Sequence, residues 1–293
     1  MVIIGLIVLG MILGSFVNAL VWRLHAQDEI RDRLEGGEER KKPTAKQAQK
    51  LRAELRDLSM LHGRSMCSKC HHPLAPQDLV PFFSWLFLGG KCRYCRQPIE
   101  DPPIIELVMP PLFVLAYLVW PLPFHGYGLL SFVFWLCFTV AFVALAVYDF
   151  RWFLLPDKIV WPMIGLALLQ VILHAAVYGG GWTVIGQAVW GVAVDSGIFF
   201  VLYQVSKGAW IGFGDVKLGI ALGLLAGGIL PALLLMFLAS LLGTLGSVPL
   251  LLSKKLHRKT LIPFGPFLLA AGMIIVLFGT RLTDWIDRVL LLS

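Results

Sequence analysis

Four of the five cysteines fall into two pairs, Cys67-x2-Cys70 and Cys92-x2-Cys95, with 21 residues between them. Thiolates at this spacing, each pair on a knuckle turn, form a four-sulfur tetrahedral site suited to zinc. A disulfide pair is the alternative, and a reducing cytoplasm argues against it. His71 and His72 follow Cys70 directly; either can replace one thiolate, although four cysteines make that unnecessary. Residues 64–100 are too few to bury a core of their own, so zinc would supply about 10–16 kcal/mol of folding free energy. A nucleic-acid-binding zinc ribbon is a further reading. The stretch Phe82, Phe83, Trp85 and Phe87 weakens it, because it suits packing on a bilayer face. Cys137 lies inside an apolar run and reads as core.

Acids form the second set. Glu106, Asp149, Asp157, Asp195 and Asp215 lie in or at the ends of long apolar runs, where ionisable groups are costly and mark functional positions. Asp149 closes one run in Tyr148-Asp149-Phe150-Arg151, and Asp215 opens another in Gly212-Phe213-Gly214-Asp215-Val216-Lys217. Two carboxylates that meet cannot both ionise easily. One keeps its proton while the other activates water, as in aspartic proteases, and the pair titrates as a unit. A bell-shaped pH–rate profile follows from that arrangement. Gly212 and Gly214 remove side-chain bulk beside Asp215, which lets the backbone turn and a substrate strand approach. At a helix start Asp215 also feels the positive end of the helix dipole. The plainer reading is that each acid marks a helix end and pairs with Arg151 or Lys217. Asp157 reads as a rival to Asp149 or as a helix N-cap. Asp195, mid-run, reads as a cross-helix hydrogen-bonding group or as a residue tuning the pair.

These groups need a scaffold. The chain of 293 residues is 58% hydrophobic and 15% charged, far from the roughly 25% charge of soluble domains. Its apolar residues gather in eight runs, 1–22, 104–121, 129–149, 157–178, 183–205, 214–229, 230–252 and 261–280. A hydrocarbon core needs about 20 residues per helix, and in lipid each backbone amide must be satisfied within its own segment. The expected fold is therefore an all-α polytopic membrane protein of about eight transmembrane helices with a small cytoplasmic zinc-binding domain. Connections 122–128 and 179–182 carry no Lys or Arg, whereas Arg151, Lys158, Lys207, Lys217, Lys254, Lys255, Arg258 and Lys259 lie in the alternate ones. Positive residues stay inside, so both termini are expected outside, with the 23–103 loop and the Asp149 and Asp215 ends in the cytoplasm. This asymmetry accounts for the net charge of +7, and no nucleic-acid partner is needed. The first run has no basic residues before it, which argues for a retained span over a cleaved signal peptide. The expected division is a first helix at 1–22, a loop at 23–103, a core at 104–281 and an external tail at 282–293. Within the loop, Thr44 and Gln47 stand at capping-box spacing before Leu51, Leu55 and Leu58. One amphipathic helix is expected over 45–61, on the membrane surface or on the zinc domain.

Five ordered segments resemble the bacterial type IV prepilin peptidases. They are Gly14-Ser15-Phe16-Val17-Asn18 with Arg23, the double Cys-x2-Cys loop, Asp149 through Pro156-Asp157, Gly212 through Lys217, and Pro263-Phe264-Gly265-Pro266-Phe267. The resemblance implies a GxGD-type aspartyl protease of the bacterial inner membrane, with Asp149 and Asp215 as catalytic pair and Gly212, Gly214 and Lys217 in support. It implies cleavage of prepilins or pseudopilins after the glycine that ends a basic leader. Methylation of the new amino terminus from S-adenosylmethionine would follow. Glu106, Asn18, Arg23, Asp157 and Asp195 are weaker functional candidates, and Glu29, Asp32, Glu35, Glu38 and Glu39 are candidate leader contacts. His25 stands where the family usually has proline, and the charged stretch 26–63 is longer than expected. No glycine-rich nucleotide fingerprint supports the methyltransferase independently. Two other classes compete: a transporter with Asp149, Asp195 and Asp215 along an ion path, and a zinc-anchored scaffold without catalysis.

Overall fold

The computed structural model describes residues 1–36, 43–59, 65–67, 69–70, 72–99, 102–252 and 263–291. His71, Glu38, Glu39, Lys254, Lys255, Arg258 and Lys259, named above, lie outside the described residues. The described residues form ten α-helices and one 3-10 turn, with two isolated bridges and no strand. The helices are α1 (Val2–Glu35), α2 (Ala45–Asp57), α3 (Phe83–Phe87), α4 (Ile104–Val119) and α5 (Gly126–Trp152). They continue as α6 (Asp157–Ala176), α7 (Gly181–Ser206), α8 (Phe213–Ala226), α9 (Ile229–Leu252) and α10 (Gly265–Leu291).

Each of the eight expected runs coincides with a helix. Six of these, α1, α5, α6, α7, α9 and α10, are long and apolar enough to cross a membrane. The other two, α4 with 16 residues and α8 with 14, are shorter. At 1.5 Å per residue they reach only about 24 and 21 Å, against a core of about 30 Å. Trp182 and Trp210, just inside the start and just past the end of α7, are among the most exposed apolar side chains, at 85% and 71%. Tryptophan favours that interfacial depth. The protein is a multi-pass membrane protein.

The chain forms two compact units, Met1–Val114 and Leu115–Ser293, with the boundary inside α4. In the first, α1 does not stop near residue 22 but runs on to Glu35, where Gly36 caps it in the left-handed conformation. The extension carries Arg33 to Glu29 at 2.5 Å and Arg31 to Asp28 at 3.5 Å, both at helical spacing. Gln47 accepts the Thr44 N–H at 3.0 Å, so the expected cap starts α2. Gln27 on α1 donates to the Leu58 carbonyl at 2.8 Å, and Arg23 to Ser59. The amphipathic helix thus ends against α1. Gly10 and Gly14 let α1 approach α4, since a Cβ at either would lie 2.7–2.8 Å from the Cα of Pro110 or Glu106.

The second unit has an aromatic and aliphatic core. Trp135, Phe138, Phe142 and Leu145 form the buried stripe of α5, at steps of three and four residues. Leu218 and Leu222 of α8, Leu235 of α9, and Leu268 and Leu269 of α10 are also fully buried. Helices α7 and α8 pack backbone to backbone, because a Cβ at Gly191 or Gly223 would strike the other's backbone carbonyl. Small residues drive such close packing where lipid removes the hydrophobic incentive.

Candidate active site and metal centre

The buried stripe of α5 continues one step beyond Leu145 and ends on Asp149, which is 6% exposed. The helix stops at Phe153, in the left-handed conformation, whose N–H returns to the Asp149 carbonyl at 2.9 Å. The Asp149 carboxylate accepts a hydrogen bond from the Gly265 N–H, and Gly265 is the first residue of α10. A Cβ at Gly265 would lie 2.5 Å from Asp149 Oδ2. Only glycine permits that approach. Pro266 beside it costs no helical hydrogen bond, because first-turn N–H groups have no intrahelical partner.

Asp215 occupies the third position of α8, after its N-cap Gly212. Its carboxylate accepts the Gly212 N–H, the reach-back of a capping box. Each carboxylate therefore meets a helix N-terminus, that of Asp149 at α10 and that of Asp215 at its own α8, where backbone N–H groups and the dipole favour negative charge. The two carboxylates stand near enough to repel each other. Leu155, in the turn after α5, fills the space between their supports: a Cβ at Gly214 would lie 3.2 Å from it and one at Gly265 3.6 Å. Two acids 66 positions apart are gathered by three helix ends, with Gly265 as the third participant.

Asp157 is not an N-cap. Pro156 holds that position and Asp157 is the first residue of α6, paired through its carboxylate with the ammonium of Lys217. Lys217 also stands 5.6 Å over the Phe213 ring. The partner proposed for Asp215 thus belongs to Asp157. Asp195 differs again. It is fully buried and neither carboxylate oxygen has a hydrogen-bond partner among the described residues. The expected cross-helix bond is made instead by its neighbour: Ser196 Oγ donates to the Val216 carbonyl at 3.0 Å.

In the first unit, the sulfurs of Cys67, Cys70, Cys92 and Cys95 lie within 4.8 Å of one another. A tetrahedral zinc with bonds of about 2.3 Å requires S–S edges of about 3.8 Å, and Cys67 and Cys95 are 3.9 Å apart. The donor set fits the metal. Two copies of one local design build it. The Cys67 N–H donates to the His72 carbonyl at 3.1 Å and the Cys92 N–H to the Gln97 carbonyl at 2.9 Å. Leu74 N–H returns to Ser65 and Ile99 N–H to Gly90, both at 2.8 Å. The matching sequence signal, Cys-x2-Cys-x2-Pro followed by Leu or Ile, occurs at 67–74 and 92–99. Burial pushes the Cys67 thiol up, but N–H groups of Cys70 and Lys69 and the neighbouring thiols outweigh it and bring the pKa to about 7. Cys95 gains from the Gln97 N–H, yet burial and the three other sulfurs raise it to about 11. Crowded thiols resist a further negative charge, which a bound cation would relieve. His72 is not one of the four clustered donors; its Nδ1 donates to the Pro73 carbonyl and its ring stacks on Tyr94 at 3.7 Å. Asp78 braces the second knuckle, accepting Arg93 Nε at 2.6 Å and Tyr94 Oη at 3.1 Å. Burial raises its pKa, but these bonds, the Ala75 N–H and the Arg93 charge hold it below its ordinary value.

Two family models match the chain. The Bacterial Peptidase A24 N-terminal domain matches residues 8–120, and the Type IV leader peptidase family matches 135–248. Among curated relatives, the prepilin leader peptidase/N-methyltransferase of Aeromonas salmonicida is 33% identical over 94% of this chain and 90% of its own length. Those of Pseudomonas aeruginosa and Dickeya chrysanthemi are 31% and 33% identical, over 94% and 92% of this chain and 90% of their own lengths. The chain belongs to the type IV leader peptidase family. No solved structure matches it. Membership sets aside the transporter and scaffold readings.

In this leader peptidase family chain the remaining candidates cluster in the first unit. Glu106 is 8% exposed and accepts the Phe82 N–H. Asn18, Arg23 and Glu106 line one cavity of about 580 Å³. Sequence reasoning missed Gly265 as part of the carboxylate site. The Pro-Phe-Gly-Pro pattern was its only signal, and nothing in that pattern points to Asp149.

Proposed function

We propose that this chain removes the leader peptide of type IV prepilins or pseudopilins and methylates the amino terminus so exposed. Asp149 and Asp215 are the catalytic pair. The observation that carries this reading is their convergence at three helix ends, where each carboxylate accepts one backbone N–H, from Gly265 of α10 or Gly212 before α8. One carboxyl, protonated, donates to the scissile carbonyl oxygen while the other takes a proton from the attacking water. Collapse of the tetrahedral adduct breaks the C–N bond, and the proton passes to the departing amine. Gly212, Gly214 and Gly265 position the pair, and the Lys217–Asp157 ion pair fastens the start of α6 to α8.

The cysteine cluster holds a structural zinc that fixes the two knuckles. S-adenosylmethionine, when bound, would supply an electrophilic methyl group for the new amine. We place the protein in the bacterial inner membrane, with α4 and α8 as additional spans, both termini outside, and the zinc unit and carboxylates on the cytoplasmic side. Of the acids proposed for a basic leader, Glu29 is already engaged by Arg33, which leaves Asp32 and Glu35 as the better candidates on α1.

The test is mass spectrometry of a purified prepilin incubated with the protein. Asp149→Asn and Asp215→Asn should each abolish cleavage, a loss of at least about 10³-fold, whereas Asp157→Asn should retain part of it. Wild-type cleavage by either of the first two removes the aspartyl assignment.

A further inference from the structure

Proton transfer between the two carboxyls and water leaves one neighbouring side chain without a task, that of Leu155. The point that a Cβ on Gly265 would occupy lies 2.5 Å from Asp149 Oδ2 and 3.6 Å from Leu155 Cδ2. The corresponding point on Gly214, the residue before Asp215, lies 3.2 Å from Leu155 Cβ and 3.3 Å from its Cδ1. Leu155 therefore leans on the glycine supports of both acids at once. It is only half-buried, so part of its surface stays open beside the pair.

The backbone holds this side chain in place. Two residues earlier, Phe153 closes α5 in the left-handed conformation and its N–H is bonded to the Asp149 carbonyl. Directly after it, Pro156 is buried as the N-cap of α6, and a residue that precedes proline is confined to extended conformations. Asp157 then carries the ion pair to Lys217 of α8. Leu155 is a wall fastened on both sides, and fastened to the same two helices that carry Asp149 and Asp215.

A wall in that position acts on the substrate. The scissile carbonyl and its water must come within hydrogen-bond reach of both carboxyls, which brings the peptide backbone next to the cut alongside Leu155. Close-packed protein surfaces leave no spare methyl-sized space, and a fixed branched side chain cannot withdraw to make one. We propose that Leu155 is the specificity-determining residue of the carboxylate site, admitting on one side of the cut only a residue that has no side chain. The inference rests on the peptidase reading, under which the cut follows a glycine. Leu155 imposes that requirement, and a smaller side chain in its place relaxes it.

The experiment uses the full-length protein in nanodiscs and two purified prepilins that differ only in the residue ending the leader, glycine or alanine. Mass spectrometry gives kcat/KM for each. Wild type should disfavour alanine by about 100-fold, the scale on which a pocket discriminates one carbon. Leu155→Ala should shrink that ratio by about tenfold or more, Leu155→Val by less, and Leu155→Met, of similar volume, should preserve it. Damage to the fold or to proton transfer lowers both rates together and leaves the ratio where it was. An unchanged ratio in Leu155→Ala, or equal cleavage of both prepilins by wild type, overturns the role of Leu155 and leaves the aspartyl reading intact. Loss of all cleavage in folded Leu155→Ala and Leu155→Val does the same, since Leu155 would then be required for the reaction instead of restricting it. Wild-type protein that cleaves neither prepilin overturns both readings.

Discussion

The cysteine cluster takes its four ligands from two stretches of ten residues that repeat one hydrogen-bonding scheme. The carboxylate pair takes its parts from the ends of α5, α8 and α10, spread over more than a hundred positions. Both sites crowd acidic groups together, yet they hold them differently. Each cysteine pair is shaped by its own turn, and four thiolates gathered there would need a bound cation to offset their charge. Each aspartate is held by a helix N-terminus and a core that stops at that depth. Local chemistry fixes the first; long-range packing fixes the second.

Three perturbations test this contrast. The largest effect is expected from Cys67→Ser. It should eliminate stoichiometric zinc by elemental analysis and expose residues 65–99 to limited proteolysis, because much of the about 10–16 kcal/mol of metal binding energy is lost. Helices α5 to α10 should keep their circular dichroism, and their collapse would show that the second unit also depends on the metal. Next comes Gly265→Ala. Its Cβ would sit 2.5 Å from Asp149 Oδ2, so the carboxylate must move, and a displacement of about 1 Å costs on the order of 100-fold in rate. Cleavage should fall by that factor with zinc unchanged; full activity would mean that the α10 end does not set the position of Asp149.

The smallest effect is expected from Asp78→Asn, which keeps the shape of the brace and removes its charge. Resistance of the zinc segment to proteolysis should drop by about 1 kcal/mol. The folded-state pKa of Asp78 lies below its ordinary value, so its contribution is complete above about pH 4 and is lost as pH falls through the lowered value. The gap between wild type and variant should therefore stay constant from pH 5 to 8. A gap that closes near neutrality would assign the brace to another group.

Residue spacing made the metal centre legible, because each Cys-x2-Cys pair, with its Pro and aliphatic residue, closes its own turn. The apolar runs made the helices legible for a similar reason, since in lipid a segment must satisfy its own backbone. The stripe Trp135, Phe138, Phe142, Leu145 carried a further clue, as its next step is Asp149. What the sequence did not display was the choice among the acids. Asp157 and Asp215 each lie near Lys217 in the chain or in space, and only the fold assigns the lysine to Asp157. The continuation of α1 to Glu35 was likewise hidden, because a charged helix and a charged loop share one composition until ion pairs at helical spacing distinguish them.

Sequence alone marked which residues could carry chemistry, because side-chain type and short-range turns are local properties. The tertiary structure decided which of them meet. The space beside Asp149 depends on the missing Cβ of Gly265, contributed by a helix that begins more than a hundred residues later, and no local pattern records that encounter.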